Sequence, residues 1–191
     1  MIPRLVIASK NNDKIAEIEA VLTNAGLAES VVRGLDWPEV EETGSTLEEN
    51  ALLKARSVAR VTGLPALGDD TGLEVAALGG RPGVHTARYA GETATYEQNY
   101  TKLLREMIDV QDRRAWFRTV VALVLPDGSD VVASGQIDGE IAREPRGEGG
   151  FGYDPVFEVD GKTFSEMPEG EKNSMSHRAR ALRALLEQSG L

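Results

Sequence analysis

The sequence predicts an α/β fold with a mixed sheet, and three observations carry that reading. Short apolar runs alternate with capped, helix-length segments through the first half of the chain. A β-branched stretch in the second half folds back on itself through Pro126-Asp127-Gly128-Ser129. No cysteine occurs in the 191 residues, so a hydrophobic core and not a disulfide framework must hold the chain. A chain of this length buries roughly 70% of its unfolded-state surface and needs no staples. We expect a single domain over residues 1–191, since no linker, repeat or low-complexity stretch divides it.

Leu5-Val6-Ile7-Ala8 reads as a short buried strand. Asn11, Asn12 and Asp13 offer caps for a helix over Lys14 to Ala25, stopping at Gly26. Val31-Val32 suggests a short strand, and Asp36 to Ser45 an acidic loop with Glu39, Glu41 and Glu42. Thr46 with Glu49 forms a capping box for a helix to Thr62, ended by Gly63. Leu64 to Leu67 predicts a buried strand that feeds a tight turn at Gly68-Asp69-Asp70-Thr71-Gly72. Gly79 to Gly83 reads as loop, and Thr95 with Gln98 opens a helix to about Met107. Arg118 to Leu125 and Val131 to Ile137 are the strands of the hairpin. Arg143 to Gly152 reads as a glycine-rich loop, Val156 to Val159 as a strand before a turn at Asp160-Gly161. Ser176 starts a last helix to about Gln188.

Charge and composition exclude several functions. The formal net charge is -10, so no global field attracts nucleic acid. No apolar run approaches the ~20 residues of a membrane span, and Leu5 to Ala8 is too short for a signal peptide. A cytoplasmic protein is expected. Without cysteine there is no thiolate zinc site and no thiol nucleophile.

Five segments carry groups suited to chemistry. Ser9, Lys10, Asn11, Asn12, Asp13 and Lys14 lie between the first strand and helix, where free N–H groups suit phosphate oxygens. Read alone, that segment fits a capped turn with solvated lysines better than a phosphate site. Asn50, Lys54 and Ser57 share one helix face. Asp69 and Asp70 at a strand end need a cation or donors, and Mg²⁺ with substrate phosphates would supply one. An Asp-rich turn is the structural alternative. Gly147 to Gly152 allows a close backbone approach, and Phe151, Tyr153 and Asp154 beside it could stack on and bond a base. Lys172, His177 and Arg178 add donors near the last helix.

Taken in order, these segments resemble the inosine triphosphate pyrophosphatase family. The resemblance rests on Ser9 to Lys14, Glu41-Glu42-Thr43-Gly44, Glu49-Asn50-Ala51 with Lys54-Ala55, and Asp69-Asp70-Thr71-Gly72-Leu73. It continues through Leu78-Gly79-Gly80 with Pro82-Gly83, Ala87-Arg88-Tyr89, Gly149 to Pro155, and Glu171-Lys172-Asn173 with Ser176-His177-Arg178. Lys10 and Asp13 depart from the residues common in the family, and neither removes a proposed ligand. The resemblance implies an elongated two-lobed α/β structure around a long mixed sheet, an active-site cleft between the lobes, and a homodimer. It implies Mg²⁺-dependent hydrolysis of ITP, dITP and XTP, purine nucleoside triphosphates, to the monophosphate and pyrophosphate. By resemblance Asp70 holds the metal with Glu42, Glu41 being the near alternative. Asp70 is also the proton acceptor for the attacking water, and Asp69 assists or adds a metal contact. Lys14, Lys54 and Lys172 hold phosphate oxygens, with Thr71 and Gly152 in the substrate-binding segments. Phe151 or Tyr153 stacks on the base, and Asp154, His177 and Arg178 reach its edge. A pyrophosphatase for modified pyrimidine nucleotides and a nucleotide-sensing domain without catalysis are the rival readings. The paired acids favour an enzyme, and the Ser-His-Arg and Phe-Gly-Tyr-Asp segments favour a purine.

Overall fold

The computed structural model describes residues 2–25 and 28–189. It is an α/β fold with a mixed seven-stranded sheet. The strands are β1 (Val6–Ile7), β2 (Ala66–Val75), β3 (Pro82–Gly83), β4 (Arg114–Val124), β5 (Asp130–Ile141), β6 (Phe157–Val159) and β7 (Lys162–Thr163). Their order is β1-β2-β4-β5-β6-β7, with β3 on β2. β1 runs parallel to β2, pairing Val6 with Ala66 and Ile7 with Leu67. β3 on β2, β6 on β5 and β7 on β6 are antiparallel. The helices are α1 (Asn12–Ala25), α2 (Leu47–Thr62), α3 (Tyr96–Glu106), α4 (Glu169–Met175) and α5 (His177–Ser189).

The chain forms two compact units, each with its own core. Unit 1 comprises Met1–Asp70, Thr119–Gly135 and His177–Leu191. Its core joins Leu5 and Ile7, Ile18 and Leu22 of α1, Leu67, Val121 and Leu123, and Leu182 and Leu185 of α5. Unit 2 comprises Thr71–Arg118 and Gln136–Ser176. Its core holds Leu73, Leu103, Met107, Tyr153 and the ring cluster Phe117, Phe157 and Phe164.

Local signals account for four helix ends. Thr46 and Glu49 form the reciprocal capping box of α2, and Gly63 ends that helix in the left-handed region. Thr95 and Gln98 do the same for the start of α3. α1 begins one half-turn earlier than expected, because Asn11 Oδ1 accepts from the Asp13 and Lys14 N–H groups. The expected stop at Gly26 lies outside the described residues. Val31 forms only an isolated bridge to Leu5 in place of a strand. The expected loop at Gly79 to Gly83 contains the two-residue strand β3, and α4 precedes α5 as a separate helix.

The largest departure from expectation is β2. Gly68-Asp69-Asp70-Thr71-Gly72 is not a turn but the middle of a ten-residue strand. Gly68 is there because α2 passes against it: a Cβ at that position would lie 2.2 Å from the Ala51 carbonyl oxygen. The two aspartates stay in the strand because each finds cationic partners.

Candidate active site

The site in unit 1 starts from strand periodicity. Successive side chains of a strand point to opposite faces. Leu67 and Asp69 therefore face α1 and α5, while Gly68 and Asp70 face α2.

Asp69 is buried and receives three donors from two helices. Lys14 Nζ lies 3.3 Å from Asp69 Oδ1. Arg178 Nε and Nη2 each donate to Asp69 Oδ2 at 3.2 Å. Arg178 Nη1 in turn donates to Glu17 of α1. Burial alone would raise the Asp69 carboxyl, but Lys14, Arg178 and Lys54 outweigh it and hold the group below the usual carboxylate range.

Asp70 has a different environment. Its Oδ1 accepts from Lys54 Nζ at 3.1 Å and its Oδ2 from Asn50 Nδ2 at 3.2 Å. Lys54 Nζ also donates to Glu42 Oε1 at 2.8 Å, so one buried ammonium joins two carboxylates. Asn50 Oδ1 accepts from the Gly44 N–H at 2.8 Å, which pins the acidic loop that carries Glu42. Burial raises the Asp70 carboxyl above its ordinary value, Glu42 adds to that, and Lys54 and Lys14 only partly oppose it. Two adjacent carboxyls are thus driven in opposite directions, the pattern that separates a fixed anion from a proton acceptor.

Glu42 is half-buried at Lys54, whereas Glu41 is exposed. Among the described residues no cluster of three or more His, Cys, Asp or Glu side chains gathers. The donor set still suits Mg²⁺, which takes few carboxylates and fills its octahedron with water and substrate phosphates. Glu42 and Asp70, already drawn to one cationic centre at Lys54, are the residues that would hold it.

The remaining unit 1 candidates divide among several places. Lys14 reaches Asp69, as described. Ser9, Lys10 and Asn12 instead line a cavity of about 450 Å³ with Trp37 and Arg33. Ser9 Oγ accepts from the Asn11 N–H at 3.1 Å, and Asn11 and Asp13 take part in capping α1. His177 is buried as the first residue of α5. Arg178 is only 2% exposed and donates to Asp69 and Glu17, an arrangement in which it positions Asp69. Glu17 escaped the sequence reading. Its one signal was an acid three residues after Lys14, on the helix face that carries Ile18 and Val21.

Unit 2 holds a second cluster. Lys172 Nζ donates to Asp154 Oδ2 at 2.6 Å and lies 4.8 Å from the Phe151 ring centroid. The Phe151 N–H donates to the same Asp154 oxygen at 2.8 Å. Gly150, with φ of +74°, lets the loop fold onto that carboxylate, since a Cβ there would lie 2.2 Å from Asp154 Oδ2. Lys172 is therefore paired with Asp154 beside an aromatic face. Tyr153 is corrected: it belongs to the core, with its hydroxyl donating to the Thr86 carbonyl at 2.9 Å. Phe151 is the half-buried aromatic beside Gly152, and Thr71 is half-buried in β2.

The chain as a whole is similar to known proteins. The model of the Ham1 family matches residues 5–188. A dITP/XTP pyrophosphatase of Symbiobacterium thermophilum is 49% identical, over 97% of this chain and 94% of that protein. A dITP/XTP pyrophosphatase of Geobacter sulfurreducens is 49% identical over 98% and 96%. Among solved structures, a HAM1 protein from Coxiella burnetii superposes with a TM-score of 0.85 at 42% identity, covering 99% of each chain. The Ham1 protein of Staphylococcus aureus gives 0.84 at 40% identity, covering 98% of each.

Proposed function

The chain belongs to the Ham1 family, and from that membership we propose that it hydrolyses the deaminated purine nucleoside triphosphates dITP, ITP and XTP. The products are the nucleoside monophosphate and pyrophosphate, so the substrates leave the nucleotide pool. The observation that carries the reading is the geometry of the two adjacent acids: Asp69 is saturated by Lys14 and Arg178 on one face of β2, and Asp70 gathers with Glu42 around Lys54 on the other.

In this reading Asp70 takes a proton from a water that adds at phosphorus as the α–β anhydride bond breaks. Asp69 stays ionised and fixes the Lys14 ammonium, which serves phosphate oxygens. Lys54 holds Glu42 and Asp70 together and offers its charge to the triphosphate. Glu42 and Asp70 would hold Mg²⁺, which when bound would supply charge neutralisation for the phosphates. Local lysines, with the metal once bound, would outweigh the net charge of -10, which salt screens within about 8–10 Å.

For the base, the half-buried Phe151 face gives a stacking surface, and the Lys172 ammonium beside it gives a donor. A 6-keto purine presents an acceptor to such a donor; the adenine amine strands it, at about 1–3 kcal/mol. The names of the relatives agree with that choice. A cytoplasmic location and a homodimer belong to the same reading. No helix among the described residues is long and apolar enough to cross a membrane.

Pyrophosphate release from dITP, XTP, ITP, GTP and ATP, with and without Mg²⁺, tests the proposal. The 6-keto substrates dITP, XTP and ITP should exceed ATP in kcat/KM by more than ~10²-fold, as when a polar pocket meets a mismatched group. Equal turnover of ATP would refute the base assignment, and nucleotide binding without any pyrophosphate release would make the protein a sensor.

A further inference from the structure

We propose that unit 2 carries a second anion site at the C-terminal end of α3, built for a phosphate monoester with a small apolar body. A cavity of about 250 Å³ opens there, lined by the guanidinium side chains Arg105, Arg113 and Arg143. Its other walls include Leu104, Met107 and Ile108. None of these residues belongs to the nucleotide site described above.

The charge pattern is what asks for a ligand. The chain has 31 carboxylates against 21 lysines and arginines, yet Arg105, Arg113 and Arg143 make no ion pair among the described residues. Arg113 is spent on neutral acceptors. Its Nη1 donates to the Met107 carbonyl at 2.9 Å and its Nη2 to the Ala142 carbonyl at 2.8 Å, while its Nε donates to Ile141. Those bonds tie the end of α3 to the end of β5 and leave the positive charge uncompensated by direct contact. Burial first, and then Arg143, disfavour the charged form of Arg113, with Glu158 and Glu140 opposing at longer range. Arg105 also faces the negative end of the α3 dipole, which is a structural reason for a cation there. Arg143, in the loop after β5, has no such reason. A phosphate between these groups would relieve their repulsion and accept forked, charge-assisted bonds.

The walls define the rest of the ligand. Ile108 is 73% exposed, well above any other large exposed apolar side chain described. A cavity of this volume falls below the usual range of about 300–1,000 Å³ for ligand pockets, so the apolar body is small.

Phenyl phosphate is the probe, titrated into protein with labelled isoleucine and methionine methyl groups and no divalent cation. The Ile108 and Met107 methyl signals should shift saturably with a Kd of about 1 mM or tighter. Arg143→Ala and Arg105→Ala should each weaken that binding about tenfold, the loss expected for one charge-assisted bond. Both side chains are exposed, so pyrophosphate release from dITP should stay at the wild-type rate and report an intact fold. Inorganic phosphate should bind more weakly, and phenol should give no shift. The proposal fails if Ile108 does not respond, if both variants bind as wild type does, or if inorganic phosphate binds as tightly as phenyl phosphate.

Discussion

Asp69 and Asp70 are consecutive in β2, yet they serve opposite faces of it: Asp69 meets Lys14 and Arg178 from α1 and α5, and Asp70 meets Asn50 and Lys54 from α2. The period of two along a strand makes this unavoidable once the segment is extended. One pair of identical residue types thereby acquires two chemistries, a buried anion saturated with donors and a carboxyl whose burial exceeds its compensation.

Arg178 follows directly from that relationship. Replacing it with Ala leaves Glu17 and Asp69 buried without their guanidinium and should destabilise unit 1 by about 3–5 kcal/mol. In the folded fraction kcat/KM should fall by the same factor for dITP, XTP and ATP, because Asp69 orientation is common to all. Arg178→Lys should recover part of both losses. Urea denaturation and kinetics on the same preparations check this; a selective loss of dITP and XTP activity would return Arg178 to the base.

Lys54 gives a prediction that reads metal binding without catalysis. Lys54→Ala places Glu42 and Asp70 near each other with no bridging ammonium and should cost about 1–3 kcal/mol. A divalent cation can take over the role of that ammonium. Mg²⁺ should therefore raise the Tm of Lys54→Ala more than that of wild type. Equal Mg²⁺ shifts in differential scanning fluorimetry would remove Glu42 and Asp70 as a metal pair.

Asn50 links the acidic loop to Asp70 by accepting from Gly44 and donating to Asp70. Asn50→Ala strands a backbone N–H and removes one Asp70 donor, at about 1–3 kcal/mol. The released loop should raise the Mg²⁺ concentration needed for half-maximal activity, since Glu42 loses its anchor. A variant with unchanged Mg²⁺ dependence would show that the anchor does not govern the metal.

Gly68→Ala tests why β2 runs straight through its polar centre. The added Cβ would meet the Ala51 carbonyl oxygen at 2.2 Å and the Ala55 nitrogen at 2.9 Å, both backbone atoms. Overpacking of this kind costs about 1–3 kcal/mol or more. A chemical denaturation midpoint equal to that of wild type would contradict the close approach of α2.

The parts legible in the sequence were those fixed by neighbours along the chain. The Thr46–Glu49 and Thr95–Gln98 boxes and the Gly63 stop depend on residues three or four apart, and they set α2 and α3. The hairpin β4–β5 was read at its turn, though both strands proved longer. The polar stripe of Asn50 and Lys54 was legible as a face, but not as the partner of Asp70. β2 was misread because Gly and Asp are turn formers until α2 and the cations of α1 and α5 surround them. Arg178 and Glu17 lie 161 residues apart, and nothing local in either marks the other. Tyr153 was misassigned for the same reason: the unit 2 core decides where it goes.

The central claim is that Asp70 accepts the proton from the attacking water, and Asp70→Asn tests it most directly. Asparagine keeps the shape and a contact to Lys54 but cannot take a proton. With Mg²⁺ saturating and the fold verified by its urea transition, kcat for pyrophosphate release from dITP should drop by at least ~10²-fold, the usual contribution of a positioned general base. A folded Asp70→Asn protein that turns over dITP at nearly the wild-type rate would contradict the account.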